Sequence, residues 1–104
     1  MDIKSLSENI GIDEDTYLII LDKFYERTIE DMDVIETAMD ECKSDQAARG
    51  AHSIKGSSGN LGLDDIYELA KEMEEKARSN LLEEIPPLML LLREKIKPVK
   101  EMLQ

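Results

Sequence analysis

Leu18, Leu21, Tyr25, Thr28, Met32, Ile35 and Met39 follow one another at alternating steps of three and four residues. Side chains on an α-helix return to the same side about every 3.6 residues, so this spacing marks one apolar face. It predicts a long amphipathic helix over 14–42. Three further stripes keep the same step. Ala47, Ala51, Ile54, Ser58 and Leu61 predict a second helix over 45–61, and Leu63, Ile66, Ala70, Met73 and Ala77 a third over 64–78. Leu82, Ile85, Met89, Leu92, Ile96, Val99 and Leu103 predict a fourth over 82–103.

The helix ends carry their own signals. Asp13, Glu14 and Asp15 suit the positive end of the first helix dipole. Ser44 or Asp45 is the expected cap of the second helix, and Gly62 fits the left-handed position just past its end. Asp64 and Asp65 open the third. Pro86 and Pro87 donate no backbone hydrogen bond and are tolerated only in a first turn, which places the regular part of the last helix from near 86. Pro98 predicts a kink or an early end near 95–97. Ile3 to Ile10 adds a short helix over one end of the bundle. Connections of two to five residues force sequential helices antiparallel. No alternating Val/Ile/Thr segment and no Asn-Gly or Asp-Gly turn argues for a strand. There is no Trp, one Phe and three Tyr, so the interior must be Leu, Ile, Met and Ala. The expected fold is all-α: an antiparallel up-down four-helix bundle, one domain over 1–104 with its core about 12–103.

Lys and Arg total 13 against 24 Asp and Glu, a formal net charge of −11. Such a surface repels nucleic acid and anionic lipid. No apolar stretch approaches the ~20 residues of a membrane span, and Met1-Asp2-Ile3-Lys4-Ser5 lacks the basic and apolar regions of a signal peptide. Cys42 is alone and reads as a small packing or helix-end residue. A reducing cytoplasm is the expected location.

The second helix holds the anomaly. It contains the only histidine, His52, and glycines at 50, 56 and 59. Each interior glycine weakens a helix by about 1 kcal/mol relative to alanine. On a helical wheel His52 lies about 140° from the centre of the apolar stripe, Gly56 about 180° and Gly59 about 120°. Lys55 stands one turn ahead of His52 and Arg49 one turn behind. The pattern is an outward imidazole, bare backbone beside it and a cation on either side. A solvated surface histidine needs no such clearance; a histidine that meets another protein's active site does. The i±3 and i±4 neighbours of His52 are Ala48, Arg49, Lys55 and Gly56, none of them a metal ligand, so no metal site is expected. Ser53, Ser57 and Ser58 lie on the same helix without an oxyanion hole, which leaves hydrolytic nucleophile chemistry unsupported. Phosphoryl carriage remains. A neutral imidazole is a competent nucleophile at cytosolic pH, and a cation one turn away can balance a phosphate on it.

The run His52-Ser53-Ile54-Lys55-Gly56-Ser57-Ser58-Gly59-Asn60-Leu61-Gly62 resembles the His-x-x-Lys-Gly-small-small-x-x-x-Gly signature of histidine-containing phosphotransfer (HPt) domains. Phe24 on the preceding helix, Ala51 before the histidine and Ala77-Arg78 closing the next helix agree with it, and the likeness covers about 12–103. The resemblance implies a phosphocarrier of a multistep His–Asp phosphorelay in two-component signal transduction. His52 would accept a phosphoryl group from one receiver-domain aspartate and pass it to another. Lys55, with Arg49 as a second cation, would balance the charge; Gly56 and Gly59 would make room for the docking receiver. It also implies response-regulator receivers and a sensor histidine kinase as partners, Mg²⁺ on the receiver and no cofactor on this chain, and a phosphotransfer intermediate rather than a kinase or hydrolase. Members often carry a glutamate late in the third helix, where Glu72, Glu74 and Glu75 all stand without an assigned role.

Two other readings share these residues. The phosphorylated P1-type domain of a chemotaxis-like histidine kinase has a similar motif but belongs to a longer chain; the Met1 start and Gln104 end favour a free-standing protein. A non-catalytic helical binding module would keep its function in His52→Gln. One clear apolar face per helix makes a monomer the simpler expectation.

Overall fold

A computed structural model describes all 104 residues. Five α-helices follow in order: α1 (Ile3–Ile10), α2 (Glu14–Asp40), α3 (Ser44–Asn60), α4 (Asp64–Arg78) and α5 (Ile85–Met102), with a single 3₁₀ turn, Leu82–Glu84, leading into α5. At 1.5 Å per residue, α2 alone is about 40 Å long, and it sets the 41 Å long dimension of the molecule. α3 packs most extensively on α4, then on α2, and α5 lies against α4 and touches α2 to close the four-helix ring. Ion pairs span the seams of α5: Arg93 reaches Glu36 on α2, and Lys95 reaches Asp65 on α4 at 3.3 Å. α1 lies against α2.

One cluster of 22 buried residues forms the core. The α4 stripe lies inside it in full, with Ala47, Ala51, Ile54 and Leu61 of the α3 stripe and Ile85, Met89, Leu92, Ile96 and Val99 of α5; Ser58 of the α3 stripe is buried as well. The face of α2 is rotated from the expected one. Its buried positions are Tyr17, Leu21, Phe24, Thr28, Asp31, Met32, Ile35 and Ala38, while Leu18, Tyr25 and Met39 flank the core half-buried. Tyr17 can go fully inside because its hydroxyl donates to the Leu61 carbonyl at 2.7 Å, so no polar atom is left unpaired.

The helix ends explain the short connections. Asp13 caps α2, accepting from the Thr16 amide at 2.7 Å. At the far end Cys42 takes a left-handed conformation (φ 56°), and the Lys43 amide closes back on the Ala38 carbonyl at 2.8 Å. Cys42 is thus the exposed helix-end residue its position suggested. Gly62 (φ 72°) ends α3 in the same way, with the Leu63 amide on the Ser58 carbonyl at 3.0 Å.

Two expectations about ends are corrected. Neither Ser44 nor Asp45 caps α3: the cap position falls on Lys43, and no side chain bonds there. The left-handed turn at Cys42 brings the helix in one residue early. Pro98 does not end α5, which continues to Met102. Pro98 and Glu94 are both exposed, so the carbonyl that loses its partner is on the wet face of the helix, where water replaces the missing bond. Pro86 and Pro87 sit in the first turn of α5.

Candidate functional site

His52 is on the surface of α3, with 62% of its side chain exposed. Its Nδ1 lies 3.0 Å from Oε2 of Glu74, which comes from the adjacent helix α4. Glu74 follows Met73 at the edge of the apolar face of α4 and is buried with 8% of its side chain exposed. Two cations share its carboxylate. Lys55 Nζ is 2.8 Å from Oε1, and Arg78 donates to Oε2 through Nη2 at 2.6 Å and Nε at 3.0 Å. Arg78 reaches it from one turn further along α4, the i, i+4 spacing that puts two side chains on one helix face.

Burial alone would raise the Glu74 pKa. Hydrogen bonds from Lys55 and Arg78, with the charges of Lys55 and His52, overcome it and hold the carboxyl at about 2, against an ordinary 4.5. In turn the bond to Glu74 raises the Lys55 ammonium above its usual range. An ionised carboxylate can only accept, so the imidazole nitrogen facing it must donate. Nδ1 therefore carries the hydrogen, and in the neutral ring the free lone pair belongs to Nε2. The geometry fixes the tautomer of an exposed imidazole and leaves its nucleophilic nitrogen unpaired.

The same ion-pair cluster gives a pH signature. Between pH 4.5 and about 2 the unfolded chain protonates at Glu74 while the native one does not. Glu74 thus contributes stability that is complete above pH 4.5 and lost as pH falls toward 2. Urea midpoints are expected to drop across that window, and to drop less in Glu74→Gln. The caps Asp2 and Asp13, whose pKa values are lowered by hydrogen bonds from Ser5 and Thr16, add to the acid loss in both proteins.

The sequence-derived site residues divide. His52 and Lys55 meet at Glu74. Arg49 does not join them; it forms no ion pair and lies with Lys43, Ser44, Asp45 and Asn80 around the start of α3. The second cation at the site is Arg78, because it reaches Glu74 from the neighbour α4, whereas the preceding turn of α3, with Arg49, does not contribute. Gly56 is open, with nothing within 4 Å of where a Cβ would stand. Gly59 is not: a Cβ there would come 3.3 Å from the Tyr67 ring of α4, so its small size serves helix packing and needs no docking partner. Gly50 likewise serves packing against α2. The hydroxyls of Ser57 and Ser58 donate to carbonyls one turn back, Ser53 at 3.0 Å and Ile54 at 2.6 Å, as helix-surface and packing serines do. Glu74 is the residue that single-helix reasoning missed. The absence of carboxylates near His52 holds along α3 and fails across to α4.

An exposed, tautomer-locked imidazole flanked by a cation, on the second long helix of an antiparallel bundle, is the layout of a phosphotransfer domain. The comparisons agree. The Hpt domain family model matches residues 19–102, and the chain belongs to that family. Among solved structures it is similar to histidine-containing phosphotransfer protein B (HptB) from Pseudomonas aeruginosa PAO1, with a TM-score of 0.81 and 29% identity over 97% of this chain and 85% of that one. A comparison with curated proteins gives no match. The protein is a histidine-containing phosphotransfer protein of phosphorelay signalling. No helix is long and apolar enough to cross a membrane.

Proposed function

We propose that His52 is the phosphorylated residue and that its Nε2 carries the phosphoryl group between receiver-domain aspartates. The observation behind this reading is the contact of Nδ1 with ionised Glu74, which leaves Nε2 as the free nucleophile. Lys55 is half-buried beside the ring and moves to balance the phosphate. Gly56 supplies clearance for the receiver backbone to approach. The chain is a cytoplasmic phosphocarrier and not a kinase or hydrolase, works as a monomer, and holds no cofactor; Mg²⁺ belongs to the receiver. The phosphoryl group enters from the receiver of a sensor histidine kinase and leaves to that of a response regulator.

The test is incubation with a phosphorylated receiver domain and Mg²⁺, followed by a stability assay of the label. An acid-labile, base-stable phosphate is the expected result. No label across a panel of receivers would sink the proposal. Gly56 supplies an independent check. Gly56→Ala is expected to stabilise the fold by about 1 kcal/mol, the helix preference regained at an open position. Gly56→Gln is expected to keep the fold and slow phosphotransfer by roughly tenfold or more, since a long side chain stands where the partner docks. Stopped-flow transfer rates beside thermal unfolding separate the two effects.

A further inference from the structure

We propose that Glu74 keeps the Nδ1 hydrogen on the ring while the phosphoryl group sits on Nε2, so that phosphoryl always leaves from a protonated imidazole. This rests on the reading of His52 as the phosphorylated residue, and it makes Glu74 a positioning residue for both half-reactions.

The bond changes define the need. In loading, the Nε2 lone pair forms the Nε2–P bond while the P–O bond to the donor aspartate breaks, and the aspartate carboxylate leaves with the electron pair. Nδ1 keeps its hydrogen, so the ring becomes a positively charged N-phosphoimidazolium. In unloading, an acceptor aspartate oxygen bonds to phosphorus, the Nε2–P bond breaks and its electron pair returns to Nε2. The product is the neutral Nδ1–H imidazole that began the cycle. No proton is exchanged with water in either direction. Were the Nδ1 hydrogen lost between the steps, the leaving group would be an imidazolate anion, much more basic and a far poorer leaving group.

The surroundings of the ring suit this retention. The charged groups gathered at it are Glu74 and Arg78 from α4 and Lys55 from α3, and its ion-pair partner is Glu74 alone. The Glu74 carboxylate is buried, so water competes poorly for the 3.0 Å bond. In the unmodified protein Lys55 and Arg78 largely neutralise that carboxylate. A phosphate dianion on Nε2 competes for both cations, and Arg78 is exposed enough to swing toward it. As they shift, the carboxylate is less neutralised and its hold on the Nδ1 hydrogen tightens. The carrier is therefore fastened in its reactive protonation state by the act of loading.

The test compares wild type with Glu74→Gln, which keeps size and an acceptor oxygen but loses the charge. Both proteins are phosphorylated, mixed with the same receiver and Mg²⁺, and followed through a single unloading from about pH 6 to about pH 8.5, the range in which imidazole protonation changes. The ratio of variant to wild-type rate cancels the receiver's own pH dependence. It is expected near one at the acid end and roughly tenfold lower at the alkaline end, the weight of one charge-assisted hydrogen bond. A ratio constant with pH, as a merely structural role for Glu74 would give, overturns the inference. Nitrogen NMR of the phosphorylated wild-type ring needs no variant. A protonated Nδ1 at about pH 8 supports the inference and a bare one overturns it. Failure of His52 to take any label overturns the underlying reading, and this inference with it.

Discussion

His52→Gln is expected to bring phosphoryl uptake to background and to leave the fold as it is. No neighbouring group stands ready to replace the imidazole. The Ser57 and Ser58 hydroxyls are engaged with backbone carbonyls, and the Lys55 ammonium is held by Glu74 with its pKa raised, so its lone pair is not available. The ring itself is 62% exposed, and losing its one hydrogen bond to the buried cluster is expected to change stability by only about 1 kcal/mol. Glu74 keeps Lys55 and Arg78 when the imidazole is gone. Thermal unfolding together with labelling by a phosphorylated receiver measures both halves. Label on the variant equal to that on wild type would contradict the assignment.

Gly50→Leu has the largest expected effect on stability, a loss of about 3 kcal/mol. A Cβ at Gly50 would stand 2.7 Å from Cγ1 of Ile35 and 3.1 Å from the backbone oxygen of Asp31. Neither is the free end of a flexible chain, so α2 and α3 must separate to admit it. Gly50→Ala is expected to be destabilising as well, by roughly 1–2 kcal/mol, because the clash outweighs the ~1 kcal/mol of helix preference gained. Urea midpoints measure both, and the contrast with Gly56→Ala is the useful control. One helix holds two glycines with opposite responses, the first kept small by its neighbour helix, the second by nothing in the protein itself.

That contrast shows where sequence reading ends. The three-and-four spacing located α3, α4 and α5 because each has a single apolar stripe. It misplaced the centre of the α2 face because Tyr17 is an aromatic whose hydroxyl is paired only in the folded state. The early end that Pro98 offered as the alternative to a kink does not occur, and spacing does not say that its orphaned carbonyl is on the wet side. His52 and Lys55 were legible because they lie on one helix, three residues apart. Glu74 was not, since three glutamates in α4 compete and the register between α3 and α4 chooses among them. One local signal favours Glu74: it borders the Ala70, Met73 and Ala77 stripe and has Arg78 one turn on. Arg49 stood as the second cation and Arg78 went unconsidered for the same reason, since neighbours along a helix are visible in sequence and neighbours across a seam are not.

The central claim is that phosphoryl rests on Nε2 of His52, with Glu74 holding the opposite nitrogen. Phosphorus–nitrogen NMR coupling on protein carrying ¹⁵N-labelled histidine, loaded by a phosphorylated receiver, tests it most directly. A one-bond coupling between phosphorus and Nε2 is the expected result. Coupling to Nδ1, or a phosphate with no bond to the histidine ring, would contradict the account.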